Sequence, residues 1–466
     1  MLHDTGGPSA ADVVPARAHR FGPAQRWHHE RVQMDLADAV ALIRSTDTLA
    51  VPLGPGVPGG FLHALGACTD FVDLQVFGAL LPDLYELFTR PGVHYRSGFF
   101  GPAERFLRDS GASVDFVPAD FRRFQTILHD LAPRVMATAA APPVDGWVSL
   151  SLHAGASIPE LRAAGADPGR LLLVEVSPNF PRTSGVAPDH MHRFHVDEID
   201  VLVETDRTPF ELADAPPTDA ERAIAEFATR YVHDGCTLQT GIGGIPSQVA
   251  KLLAEGPGGD FGIHSEMFTT GLMHLHRAGK VTNRKSISSA PGRFDGFSVT
   301  TFAAGVRELY DWLHDNDDVR FLPVHIVNSA ELIAENRDMV TINGALALDL
   351  AGQIVADTIV GKQFSGIGGH EDFVGAPTLS DDGRSLICLP STSTVGGELV
   401  NRVVAKLPYG SIVSTPRHQV DIVITEHGIA ELQGRTVRER ARALAAISHP
   451  QFRDELVDAA ADWPVD

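Results

Sequence analysis

Thr237-Leu-Gln-Thr-Gly-Ile-Gly-Gly-Ile-Pro-Ser247 reads as a strand-like run that turns on glycines and opens a helix. Pro246 suits the first helical position, and Val249, Leu252 and Leu253 fall on one face of that helix. A strand, a glycine turn and a helix in immediate succession form the repeating unit of an α/β layer. Two readings of Gly241, Ile242, Gly243, Gly244, Ile245, Pro246 and Ser247 stand level on spacing alone. Their free N–H groups hold a phosphate or an oxyanion, or the glycines serve only a tight turn at positive φ. A dinucleotide fingerprint is excluded because Pro246 takes the place of its last glycine. The Gly-Lys-Ser/Thr ending of a P-loop is absent as well.

Some twenty residues further on stands Phe261-Gly-Ile-His-Ser-Glu-Met-Phe-Thr-Thr-Gly271. It presents Glu266 where a strand-like run gives way to a helix. The plain reading has Ser265 capping that helix, with Phe268, Leu272 and Leu275 toward the core and an acid in the first turn. The chemical reading makes Glu266 a carboxylate nucleophile beside backbone donors. Its place between two glycine loops favours the chemistry. The later loop is Ser365-Gly-Ile-Gly-Gly369, within Lys362 to Phe373. Ahead of it lies Asn343, whose side-chain amide can both donate and accept.

The same alternation extends outward in both directions. Residues 1–33, rich in Gly, Pro and His, read as a poorly ordered lead. A helical pattern (Leu36, Val40, Leu42, Ile43) precedes the strand-like Thr48–Leu53. Further strand-like runs are Val148–Leu152, Leu171–Val176, Ile199–Val203, Phe321–Val327, Leu346–Leu350, Ser385–Leu389 and Val420–Thr425. The acidic, proline-rich Thr205–Thr218 has no periodicity and reads as a linker. The expectation is two α/β domains with mostly parallel sheets, 34–210 and 211–466.

Lys and Arg total 38 against 59 Asp and Glu, a net charge of −21, which speaks against nucleic acid or an anionic membrane as partner. Cys68, Cys236 and Cys388 are far apart and form no CxxC pair. That fits a reducing, cytoplasmic setting without a disulfide framework. No signal-peptide pattern or membrane-length apolar run occurs. His190-Met-His192-Arg-Phe-His195 invites a metal reading, but a loop entering a strand with individually satisfied histidines is simpler, so no metal site is expected. A G-x-S-x-G elbow is missing, and no basic cluster surrounds any cysteine.

Taken together, several segments resemble the acetyl-CoA hydrolase/transferase family, and most closely its 4-hydroxybutyrate CoA-transferase-like branch. They are Leu238–Pro246, Gly262–Met267, Asp349–Gln353, Ser365–Gly369, Asp372-Phe373, Thr425-Glu426, Gly428–Ala430 and His449–Arg453, with Glu175–Thr183 earlier. The resemblance implies two CoA-transferase-type (NagB/RpiA-like) domains with the active site in the cleft between them. It implies Glu266 as nucleophile and CoA contacts from Gly243 to Ser247, from Asn343 and from Gly366. Gly368 and Gly241 to Gly244 belong to the same loops. CoA or acyl-CoA would be substrate, with no tightly bound cofactor, and the assembly a homodimer. Ser177, His370-Glu371 and His427 depart from the usual residues of the family, which bears on which acid fits.

The expected reaction exchanges CoA between a short-chain acyl-CoA and a free carboxylate through a glutamyl-CoA thioester. Amides of Ile242–Gly244 and Gly366–Gly368 are the candidates for meeting the oxyanion. Arg182 and Arg417 are candidates for the cation that lets two carboxylates approach, each equally readable as a surface arginine. Three other readings compete: hydrolysis of acyl-CoA by the same glutamate, a non-catalytic CoA-binding protein, and a dinucleotide-dependent oxidoreductase already weakened by Pro246.

Overall fold

The computed structural model describes residues 32–286, 292–380 and 382–461. Eight strands of the first part form one parallel sheet. They are β1 (Val32–Met34), β2 (Thr48–Leu53), β3 (Leu74–Ala79), β4 (Val93–Ser97), β5 (Val114–Phe116), β6 (Val135–Ala140), β7 (Leu171–Val176) and β8 (Val201–Glu204). Their order is β1-β8-β7-β6-β2-β3-β4-β5, with every pairing parallel. From β2 the chain winds outward to β5, then resumes at β6 and winds the other way. The reversal between β2 and β6 opens a crevice at their carboxyl ends.

The second sheet contains β9 (Thr237–Thr240), β10 (Gly262–Ile263), β11 (Met339–Gly344), β12 (Arg384–Cys388), β13 (Ile422–Thr425) and β14 (Gly428–Glu431). Its order is β10-β9-β11-β12-β13-β14, parallel except for the closing β13–β14 hairpin. Four helices bear on the site: α1 (Gly244–Glu255), α2 (Thr270–Arg277), α3 (Val324–Val327) and α4 (His370–Gly375).

Burial on both faces explains why β6 and β7 carry almost no polar residues. Pro52 is the exception inside β2: it has no N–H to donate, and the register with β3 shifts between Ala50 and Leu53. The strand end therefore splays, and Leu53 faces a cavity at the carboxyl ends of the strands. One hydrophobic cluster joins the two sheets, with Met136 and Val174 from the first and Leu238 and Ile342 from the second. Further clusters cover the outer faces.

Four local expectations change. Residues 1–31 of the expected lead lie outside the described residues, but Val32–Met34 pairs with β8 and belongs to the sheet. Glu266 does not open a helix: it sits in a turn between β10 and the short strand Met267–Phe268, and α2 begins only at Thr270. Pro246 is the third residue of α1, not the first, because Gly243 at φ +115° is the cap. The apolar run from Phe321 is a strand only to that residue; Pro323 then starts α3.

Residues 205–218 contain no helix or strand. They are nevertheless strapped down, for Leu212 N–H donates to the Gly305 carbonyl at 2.8 Å and the Tyr310 hydroxyl donates to the Phe210 carbonyl at 2.8 Å. No helix of the described residues is long and apolar enough to cross a membrane.

Candidate active site

The carboxyl ends of β2, β3 and β9 open on a cavity of about 780 Å³, as does Asn343 in β11. Glu266 lines it, and the local sequence explains how that side chain is fixed. Ser265 Oγ donates to the Thr240 carbonyl at 3.1 Å, tying the turn to the end of β9. The Glu266 carbonyl accepts from Thr301 N–H at 3.0 Å and from Thr300 Oγ1 at 2.9 Å. His264 is fully buried; its Nε2 donates to the Val327 carbonyl at 2.7 Å and its Nδ1 accepts from Asn336 Nδ2 at 3.0 Å. Burial holds that imidazole down to about 4, so it stays neutral and acts as a fixed strut.

Val327 precedes Asn328, the cap residue of α3. Asn328 Nδ2 donates to Glu266 Oε2 at 2.6 Å and to Asp372 Oδ2 at 3.0 Å. One amide nitrogen thus gives both its hydrogens to two carboxyl groups. The Asn328 Oδ1 atom is buried without a partner among the described residues. Behind Asp372, on α4, Arg122 Nε lies 3.0 Å from Oδ1. The chain of contacts runs Arg122, Asp372, Asn328, Glu266.

Burial pushes the Glu266 carboxyl up to about 8; the Asp372 charge adds to the rise, while Asn328 and the Gly369 backbone oppose it. The exposure Glu266 keeps faces the cavity it lines. Burial also carries Asp372 up to about 6, against the pull of Asn328 and Arg122. Shared burial of neighbouring acids is an arrangement in which one proton is retained near neutrality.

The later glycine loop lies against Glu266. A Cβ on Gly369 would fall 2.0 Å from Glu266 Oε2 and 2.3 Å from Asn328 Nδ2, so only glycine fits there. The loop is also fastened to the turn that follows β5: Phe121 N–H donates to the Gly368 carbonyl at 3.0 Å. A Cβ on Gly366 would meet Phe99 and the Gly98 carbonyl within 3 Å.

The sequence-derived candidates separate cleanly. Glu266, Gly241, Ile242, Asn343, Gly366 and Gly368 line the one cavity. Gly243, Gly244, Ile245, Pro246 and Ser247 do not; Ile245 is buried in the core, and Ser247 hydroxyl bonds Asp214. Asn343 and Gln239 face each other as a long amide pair at 3.4 Å. Arg182 is bound to Asp315 outside this cavity, and exposed Arg417 does not line it either. The cation linked to Glu266, through Asp372 and Asn328, is Arg122, to which no spacing points. Asn328 is equally silent in sequence, being a lone amide 62 residues after Glu266.

His192 of the histidine-rich run is buried, donates to the Ser151 carbonyl at 2.8 Å and stacks on Phe321. Among the described residues no group of three or more His, Cys, Asp or Glu is placed to hold a metal ion.

Known proteins resemble this chain in sequence and in fold. Residues 305–460 match the acetyl-CoA hydrolase/transferase C-terminal domain. Succinyl-CoA:cyclohexane-1-carboxylate CoA transferase of Geobacter metallireducens is 33% identical over 428 residues, 91% of this chain and 93% of that protein. The chain belongs to the acetyl-CoA hydrolase/transferase family of CoA-transferase enzymes. A second member of that family, 4-hydroxybutyrate coenzyme A transferase of Clostridium kluyveri, is 34% identical across 85% of this chain and 92% of its own. The crystal structure of RipA from Yersinia pestis superposes with a TM-score of 0.80 at 31% identity, covering 92% of this chain and 96% of RipA.

Proposed function

We propose that Glu266 carries CoA in a ping-pong exchange between a short-chain acyl-CoA and a free carboxylate. The observation that carries this reading is the convergence, on one carboxyl group, of the cavity, the Gly366–Gly369 loop and the Asn328 amide.

In the first step a Glu266 carboxylate oxygen bonds to the acyl carbon, and the C–S bond breaks to give a mixed anhydride and CoA thiolate. The thiolate then attacks Glu266 Cδ; the anhydride C–O bond breaks, releasing the first acid as its carboxylate. A glutamyl-CoA thioester remains. The incoming acid reverses both steps, so electrons balance and no proton is gained or lost overall. Glu266 must be ionised to start, and ionisation in a desolvated site leaves a nucleophile with little hydration to shed.

Each attack places negative charge on an oxygen. Amides of Ile242 and Gly366–Gly368, which line the cavity, are proposed to meet it, and loss of one such donor costs about 2.7–4 kcal/mol of barrier. Asn343 and the Gly241-Ile242 end of the first glycine loop, which lines the cavity, are proposed to receive the CoA arm. The acids named for relatives include succinate, cyclohexane-1-carboxylate and 4-hydroxybutyrate.

The same reading assigns residues 34–210 and 211–466 to two lobes, each built on one of the two sheets. It takes the enzyme as a cytoplasmic homodimer. Free cysteines support the first, and the exposed apolar side chains of Val395, Leu399, Tyr409 and Ile412 support the second. The deciding experiment is incubation with acetyl-CoA followed by intact-mass and peptide analysis, with and without borohydride. A CoA adduct, and reduction, located at Glu266 is the expected result; its absence refutes the covalent route.

A further inference from the structure

Two sides of the active cavity differ in chemistry. Toward the second sheet Gln239, Thr240 and Asn343 place polar groups at the strand ends, next to the apolar Ile242 and Phe373. Toward the first sheet it is aromatic. Phe99, Phe121 and Phe124 line it there, and Phe302, from the strand paired with Met267–Phe268, meets Phe121 edge-on at 6.2 Å. This aromatic wall adjoins the nucleophile. A Cβ on Gly368 would lie 3.5 Å from Glu266 Oε1 and 3.7 Å from the Phe99 ring, so carboxyl and ring are both within van der Waals reach of the same point. Phe302 N–H donates to the Glu266 carbonyl at 3.3 Å, which holds its main chain beside the same residue. Among the residues lining the cavity none is Lys or Arg, and the charged ones, Asp83 and Glu266, are both acidic.

We propose that the acid exchanged against the short-chain acyl-CoA is an apolar monocarboxylate of about six or more carbons, alicyclic, aromatic or medium-chain, with its tail on the aromatic wall. This deepens the reading of Glu266 as CoA carrier and rests on it. A small acid such as propionate leaves the wall uncovered, and each methylene it lacks forfeits about fourfold in transition-state binding. A dicarboxylate fits worse. Its second carboxylate would be desolvated against phenyl rings with no counter-charge, a placement proteins avoid. The polar side remains for the amides of the CoA arm.

The test uses the full chain with acetyl-CoA as donor and hexanoate, cyclohexanecarboxylate, benzoate, propionate and succinate as acceptors. The expected kcat/KM for the best six- or seven-carbon acid exceeds that for propionate by at least about tenfold and that for succinate by at least about a hundredfold. Phe99→Ala, at a partly exposed position, should shrink the hexanoate-to-propionate ratio at least about fivefold. Propionate or succinate equalling the larger acids, while the Glu266 adduct still forms, overturns the substrate assignment alone. An unchanged ratio in Phe99→Ala overturns the assignment of the wall. No adduct with any acyl-CoA removes the catalytic reading itself, and the substrate assignment with it.

Discussion

The loops Gly241-Ile-Gly-Gly244 and Gly366-Ile-Gly-Gly369 carry the same four residues and do different physical work. A Cβ on Gly241 or Gly243 would meet nothing within 4 Å, and Ile242 is 46% exposed. Gly243 is glycine for its backbone, at φ +115° as the cap of α1. At Gly366 and Gly369 of the later loop the requirement is space, Gly366 being pressed on Phe99 and Gly369 on Glu266 and Asn328, whereas Gly368 sits at φ +56°. One loop has room for a ligand beside it; the other is already packed around the nucleophile. Identical words in a sequence therefore say little until the neighbours are known.

The largest effect tests what the packed loop surrounds. Glu266→Gln keeps the shape and removes the nucleophile, so steady-state exchange should fall at least about a thousandfold. CoA affinity, measured by calorimetry, should change little. The same variant should raise Tm by about 2 °C at pH 8. The sign comes from linkage. A carboxyl raised to about 8 in the fold binds a proton that the unfolded chain has already released, so its ionisation opposes folding increasingly above the unfolded value. Near-normal turnover in Glu266→Gln would end the assignment.

Next in size comes a direct contrast between the loops. Gly369→Ala forces Glu266 or Asn328 to move and should cost about a hundredfold in kcat, as displacements near 1 Å do. Gly241→Ala meets no atom, and its loss should stay below about tenfold. Equal losses in the two variants would show that both loops crowd the reacting carbonyl and that the contrast does not extend to the reaction.

Smaller again is Asn328→Ala. Asn328 donates to Glu266 and favours its charged form, so removing it raises the carboxyl further. In the wild type kcat/KM should climb with pH until about 8, because only ionised Glu266 attacks. In Asn328→Ala the rising limb should move to higher pH, with about tenfold less activity at pH 7. A rising limb that stays put, whatever the drop in rate, would show that Asn328 does not set the charge on Glu266.

Legibility in the sequence tracks the range of the forces involved. β2, β7, β12 and β13 are readable because double burial demands largely apolar runs. The pause at His449-Pro450 is readable too, since proline starts the last helix, Pro450–Ala461. Glu266 and the two glycine loops can be found from local pattern and family resemblance, and all three reach the cavity. The turn holding Glu266 imitates a helix start in sequence because its hydrogen bonds come from Thr300 and Thr301, more than thirty residues away. Asn328, Arg122 and the aromatic wall are invisible for the same reason: each acquires meaning only where the two sheets meet.

The open loop gives the smallest and most specific test. Gly243→Ala adds a side chain that meets no neighbour, so any cost comes from backbone strain at φ +115°. That cost should be about 1–3 kcal/mol of stability, read as a drop in urea midpoint with an unchanged slope. Gly241, whose added Cβ is equally free, lies outside the left-handed region and should lose much less as alanine. If the two alanine variants unfold at the same urea concentration, Gly243 is not kept for its φ. The ligand would then be what requires a bare backbone there, and the loss should appear as a raised KM for acyl-CoA.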